Sequence, residues 1–145
     1  MSGSARGGRR WRYAALAANA ALALSVVLLP WYALAEYTPS GWQATWLARL
    51  ALVLALGGIV LLRLGRPPRD LVAPALAALV LVVYRVALPP DFGFDLDGLE
   101  VPVERRPGAL IALGSAVAAF GVPLGLELAR RRGRASGGAE PGSVS

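Results

Sequence analysis

The chain has no cysteine, no histidine and no lysine. Without cysteine there is no disulfide, no thiolate nucleophile and no thiolate-based metal site. Without histidine and lysine, a serine has neither of its usual general bases, so Ser-His-Asp and Ser-Lys hydrolases are excluded. Zinc would find only carboxylates. Acids are also few, nine against 15 arginines, for a net charge of +6. No catalytic residue, no metal site and no cofactor is expected, and the chain reads as a non-enzyme.

What remains is strongly apolar. The 145 residues are 56% hydrophobic with a mean hydropathy of +0.54, the composition of one compact membrane unit. A basic balance can mark a nucleic-acid binder, but these arginines alternate with hydrophobic runs instead of gathering on a polar surface. Membrane topology accounts for them, and no nucleic acid is expected. The Ala, Leu, Gly and Arg bias without Lys looks like a high-GC bacterial coding preference.

Four apolar segments set the expected fold class: an all-α membrane protein, an antiparallel bundle of four transmembrane helices over residues 11–130. Residues 1–10 and 131–145 read as disordered basic and Gly/Ser-rich tails. Tyr13 to Trp31 runs nineteen residues without a charge, and about 20 helical residues cross a hydrocarbon core. The spacing predicts helices over 13–31, 46–64, 71–88 and 108–128. Trp11, Tyr13, Trp31, Tyr32, Trp42 and Trp46 lie at span ends, where aromatic belts anchor helices to the interface. Ala33-Leu34-Ala35 before Glu36 has the small-x-small form of a signal-peptide cleavage site, although the apolar run is longer than a usual h-region.

Small residues suggest where the helices meet. Ala14, Ala17, Ala18, Ala21 and Ser25 form one face of the first helix, and Asn19 points to a different neighbour. Gly57-Gly58 in the second helix, and Gly114, Ala118, Gly121 and Gly125 in the fourth, are candidate packing points. Pro74 is expected in the first turn of the third helix, and Pro123 is expected to bend the fourth.

Between the third and fourth helices, Asp97-Gly98 is the dipeptide a two-residue hairpin turn prefers. Turning there pairs Leu96 with Leu99, Phe94 with Val101 and Phe92 with Val103, giving a small extracellular β-hairpin over 92–103 with one apolar face. Asp95-Leu96-Asp97-Gly98 also resembles a fragment of a calcium loop, but the twelve-residue frame and terminal glutamate are missing.

Arginine counts orient the chain. The N-terminal segment holds four, the Arg63 to Arg69 turn three and the C-terminal end four, eleven on one side. The Glu36 to Thr45 loop has none. Positive residues stay inside, so both termini are expected in the cytoplasm of a bacterial cell, with the two acidic loops outside. Arg49 and Arg85 lie about one turn inside the outer surface, beneath Glu36, Asp91 and Asp95. A guanidinium there needs a carboxylate partner, a snorkelling route or a wet cavity. These five residues form a candidate outer-leaflet ion-pair or anion site.

The pattern resembles an uncharacterised family of small four-span integral membrane proteins of high-GC bacteria. The resemblance rests on Leu29-Pro30-Trp31-Tyr32, Ser40-Gly41-Trp42-Gln43-Ala44, Tyr84-Arg85 with Leu88-Pro89-Pro90, and Gly108-Ala109, and covers about residues 10 to 130. It carries no catalytic or binding residue. The expected function is an interaction or accessory component of the cytoplasmic membrane, whose partners are the lipid bilayer and a membrane protein or a second copy of the chain. The alternative is a small transporter or channel for an anion, using Arg49 and Arg85.

Overall fold

The computed structural model describes residues 3–33, 36–90, 95–96, 99–100 and 103–137. Its elements are α1 (Gly3–Leu28), β1 (Tyr32–Ala33), α2 (Gly41–Ala44), α3 (Trp46–Arg63), α4 (Pro68–Ala87), β2 (Asp95–Leu96), β3 (Leu99–Glu100), β4 (Glu104–Arg105) and α5 (Pro107–Gly137). Four of the helices, α1, α3, α4 and α5, are long and apolar enough to cross a membrane. Each packs on two neighbours, so the four close a ring in the order α1, α3, α4, α5.

Small side chains fill that ring. The buried residues are Ala48, Ala51, Ala55, Gly58 and Leu62 on α3 and Pro68, Leu71, Ala75, Ala78 and Val82 on α4. On α5 they are Ala109, Ala112, Ala116, Ala119 and Pro123. Spacings alternate between three and four, the heptad seam of left-handed helix packing. On α1 the same seam runs through Trp11, Ala15, Ala18, Leu22 and Ser25, with Val26 buried beside it. Large residues point the other way: Leu24, Val53, Leu56, Val60, Val80, Leu110 and Val117 are all exposed. Such a surface would be an aggregation liability in water, but it costs nothing against lipid tails. Within lipid, helices associate by close contact, which alanine permits.

The ring corrects several expectations. Ala14 and Ala17 are exposed, so the buried face of α1 is rotated from the small-residue face inferred from sequence. Gly114, Ala118, Gly121 and Gly125 all lie on the outside of α5, and the three glycines have nothing within 4 Å of an added Cβ. Gly57 likewise meets nothing, whereas a Cβ on Gly58 would stand 2.7 Å from Asn19 Oδ1. Gly58 is therefore the packing glycine of the pair.

Helix ends differ for identifiable reasons. The α1 helix begins at Gly3 and α5 continues to Gly137, so helix enters both segments expected to be disordered. Extending an existing helix avoids the nucleation cost, and the Ala and Arg residues there favour it against the opposing Gly3, Gly7, Gly8, Gly133 and Gly137. On α5 the Glu127–Arg131 contact at 3.2 Å adds a helical-turn ion pair. The α4 start moves back to Pro68, with Pro67 as N-cap and Asp70 in the first turn, where the helix dipole favours an acid. Pro74 consequently sits beyond the first turn. Pro123 is buried, and α5 continues through it. The α3 helix ends in a Schellman closure: Arg66 N–H donates to Leu61 O at 3.1 Å and Gly65 N–H to Leu62 O at 3.2 Å, with Gly65 at φ 72°.

Between α4 and α5, β2 and β3 pair antiparallel, Asp95 opposite Glu100 and Leu96 opposite Leu99. The longer apolar-faced hairpin over 92–103 is not evident among the described residues. Its Asp97-Gly98 turn, Phe92, Phe94 and Val101 lie outside them. The chain just beyond instead pairs with the segment after α1: Tyr32 opposite Arg105 and Ala33 opposite Glu104. Val103 packs against the main core. Leu34 and Ala35 of the cleavage-site motif also lie outside the described residues.

Two glycines should respond oppositely to a methyl group. A Cβ on Gly108 would collide with Pro30 O and come within 2.8 Å of Leu29 Cβ, so Gly108→Ala should cost about 2 kcal/mol through overpacking. Gly114→Ala, on the open face, should gain about 0.5 kcal/mol from helix propensity. Thermal melting in detergent reads both, and equal shifts would contradict the packing described.

Candidate functional site

The polar chemistry of the spans gathers at the end where α1 exits and α4 stops. Trp31 and Tyr32 sit there with no solvent exposure, not in an interfacial belt. Trp11 is also buried, while Tyr13, Trp42 and Trp46 are exposed as belts require. Trp31 Nε1 donates to Ser25 O at 2.9 Å, and its indole lies on Gly41, where a Cβ would meet Cε2 at 2.7 Å. Its backbone N–H donates to Pro39 O at 3.0 Å, and its carbonyl accepts from Arg106 N–H at 2.9 Å. One residue thus ties α1, the α2 loop and β4.

Tyr32 and Arg105 close α4. A helix leaves its last carbonyls without internal partners, which is costly near lipid. Tyr32 Oη donates to Arg85 O at 2.7 Å, and Arg105 donates from Nε to Val86 O at 2.7 Å and from Nη2 to Ala87 O at 3.3 Å. Three successive carbonyls are satisfied, and the guanidinium complements the negative end of the helix dipole. Burial pushes the Tyr32 phenol from 10.0 up to about 12, against the opposing pull of Arg85 and Arg105.

Of the candidate ion-pair site, the structure describes the side chains of Arg49, Arg85 and Glu36. Arg49 donates from Nε to Trp42 O at 2.9 Å and its guanidinium lies 4.9 Å from the Trp42 ring centroid. Arg85 lies 5.6 Å from the Tyr84 ring, and its buried Nε has no hydrogen-bond partner among the described residues. Glu36 is exposed. Among the described residues, the ion pairs are Arg69–Asp70, Arg106–Glu104 and Arg131–Glu127, and neither Arg49 nor Arg85 joins one. Asp91 and the Asp95 side chain lie outside the described residues. Exposed arginines are stabilised by aromatic faces and backbone carbonyls without a carboxylate, and Arg49 uses both.

Asn19 is buried against Gly58 and donates from Nδ2 to Ala15 O at 2.8 Å; Ser25 Oγ donates to Leu22 O at 2.8 Å. Both spend their donors within α1. Arg105, Tyr32 and Trp31 are the residues that carry this end of the molecule. The Trp31-Tyr32 pair is readable as a special position only by its location after a proline, and Arg105 only as one of two arginines in an acidic loop.

The fold defines a helical protein with four candidate membrane spans. No family model, no curated protein and no solved structure matches the chain.

Two variants test the closure of α4. Arg105→Ala removes two charge-assisted bonds from a solvent-exposed group and should cost about 1–2 kcal/mol, whereas Arg85→Met relieves an unpartnered polar atom and should leave the melting temperature unchanged or raised. The reverse order would restore Arg85 as a structural counter-ion. Raising pH supplies an independent check. The Tyr32 phenol ionises near 10.0 in the unfolded chain and near 12 in the fold, so its stabilising contribution is whole below pH 10 and lost as pH rises toward 12. The alkaline fall in melting temperature should shrink in Tyr32→Phe.

Proposed function

We propose that this chain is a non-enzymatic integral membrane protein of the bacterial cytoplasmic membrane, with both termini cytoplasmic, acting as an interaction or accessory component. The observation that supports this reading is the filled interior. Alanines from three helices meet Leu22, Val26 and Val82 at the centre, and the buried Asn19 and Ser25 bond within their own helix. A conduction path needs a line of groups able to replace the hydration shell of an ion. The arginine-rich ends, α3–α4 turn and both terminal helix extensions, share one side of the bundle, which suits the positive-inside rule.

The anion-transport alternative has one feature in its favour, the unpartnered Arg85 Nε. Arg49, its supposed companion, is engaged by the carbonyl and ring of Trp42.

Flux and topology are separable tests. Purified protein in liposomes should release trapped iodide no faster than empty liposomes; release that Arg85→Gln abolishes would establish the transport reading instead. The chain has no native cysteine, so Thr38→Cys and Ala135→Cys report without background. An impermeant maleimide should label the first in intact cells and the second only after lysis.

A further inference from the structure

At the opposite end from Trp31, a cavity of about 350 Å³ opens between α1 and α3, lined by Arg9, Arg12, Tyr13, Leu16, Leu62 and Arg63. Leu62 is buried and Leu16 half-buried, so they form the floor; the three arginines and Tyr13 are exposed and form the rim. The volume falls at the small end of ligand pockets, about 300–1,000 Å³.

Helical spacing explains the arrangement. Arg9, Arg12, Tyr13 and Leu16 are offset by three, four and seven residues and share one face of α1. Leu62 and Arg63 come from the last turn of α3. Arg12 is held in place before any ligand arrives: its Nη2 donates to Gly65 O at 3.3 Å and its guanidinium lies 5.6 Å from the Trp11 ring. That carbonyl belongs to the left-handed glycine of the Schellman closure, so the turn that ends α3 also fixes the arginine. No carboxylate lines the cavity, and none of its three arginines makes an ion pair among the described residues.

We propose that this cavity binds the phosphodiester headgroup of an anionic phospholipid. Guanidinium forks match phosphate oxygens, and three uncompensated cations favour a net negative headgroup over one carrying its own ammonium. The cavity lies where the apolar spans begin, at the depth of headgroups, and basic pockets between transmembrane helices on one side of a bilayer suit such lipids. The apolar floor separates a lipid from free phosphate, since the start of an acyl chain or glycerol can cover Leu16 and Leu62 and an inorganic anion cannot. This inference rests on the membrane placement of the four helices and is independent of the accessory role.

The test uses the full chain purified in a neutral detergent. Native mass spectrometry and thermal melting are run with added phosphatidylglycerol, phosphatidylcholine or inorganic phosphate. Phosphatidylglycerol should be retained through the detergent and raise the melting temperature by about 5 °C near saturation; the other two should do neither. Arg9→Gln/Arg63→Gln, which spares the Arg12 bond to the α3–α4 turn, should weaken phosphatidylglycerol retention at least about tenfold, as loss of one or two charge-assisted contacts implies. Arg130→Gln/Arg131→Gln, with the same charge change elsewhere, should retain it. Equal retention of phosphatidylcholine, equal losses in the two double variants, or a full shift with inorganic phosphate would each overturn the assignment. Should the cavity variant melt too low to compare, the comparison of lipids on the unaltered protein decides alone. Failure here would leave the maleimide result, and with it the membrane topology, untouched.

Discussion

The indole of Trp31 is the contact on which one end of this molecule is assembled. A tryptophan with no solvent exposure and its N–H committed to Ser25 O fixes how the chain leaves α1. That exit places Tyr32 beneath the last turn of α4 and sets β1 beside β4, so that Arg105 reaches the carbonyls of Val86 and Ala87. Aromatic burial, strand pairing and helix capping are therefore one arrangement. An indole needs a partner for its N–H when buried, and the last turn of α1 provides the Ser25 carbonyl, which it shares with the Leu29 N–H at 3.3 Å.

The bundle below obeys a different rule. In water a core gains from large apolar residues; in lipid the outside is as favourable as the inside, and contact distance decides. Alanines occupy the seam and leucines and valines the rim. Gly58 accommodates the Asn19 amide, and Gly108 lets the first turn of α5 touch the backbone at Pro30. Two glycines thus remove side chains where polar or main-chain groups must pass closely.

These two rules explain what the sequence reveals and what it conceals. The four spans are legible because hydrophobic length is a one-dimensional property: α3, expected over 46–64, ends at Arg63. Facing is harder. Gly114, Ala118, Gly121 and Gly125 make a regular small-residue pattern, yet the parallel pattern Ala109, Ala112, Ala116, Ala119 turns inward. Both satisfy helical periodicity, and only the neighbouring helices choose between them. The ion-pair site rests on nearby acids, of which two have side chains outside the described residues, while the partner Arg49 does show, the carbonyl and ring of Trp42, has no pattern in the sequence to announce it. The ladder between β1 and β4 joins residues more than seventy positions apart in sequence, and two-residue strands leave no periodic trace.

The spans are unequal in length. At 1.5 Å per residue, the 18 residues of α3 and the 20 of α4 roughly match a hydrocarbon core about 30 Å thick, whereas the 31 residues of α5 reach about 46 Å. Tilting alone would hide the excess only at an angle steeper than transmembrane helices adopt. In the membrane placement proposed above, the surplus extends beyond the hydrocarbon core, carrying Arg130, Arg131, Arg132 and Arg134. Screening confines their field to about 8–10 Å, so the guanidiniums nearest the surface tether the helix end while those further out remain accessible to whatever approaches from the aqueous side. In that placement, a helix longer than the hydrocarbon core sets the height at which its terminal charges lie.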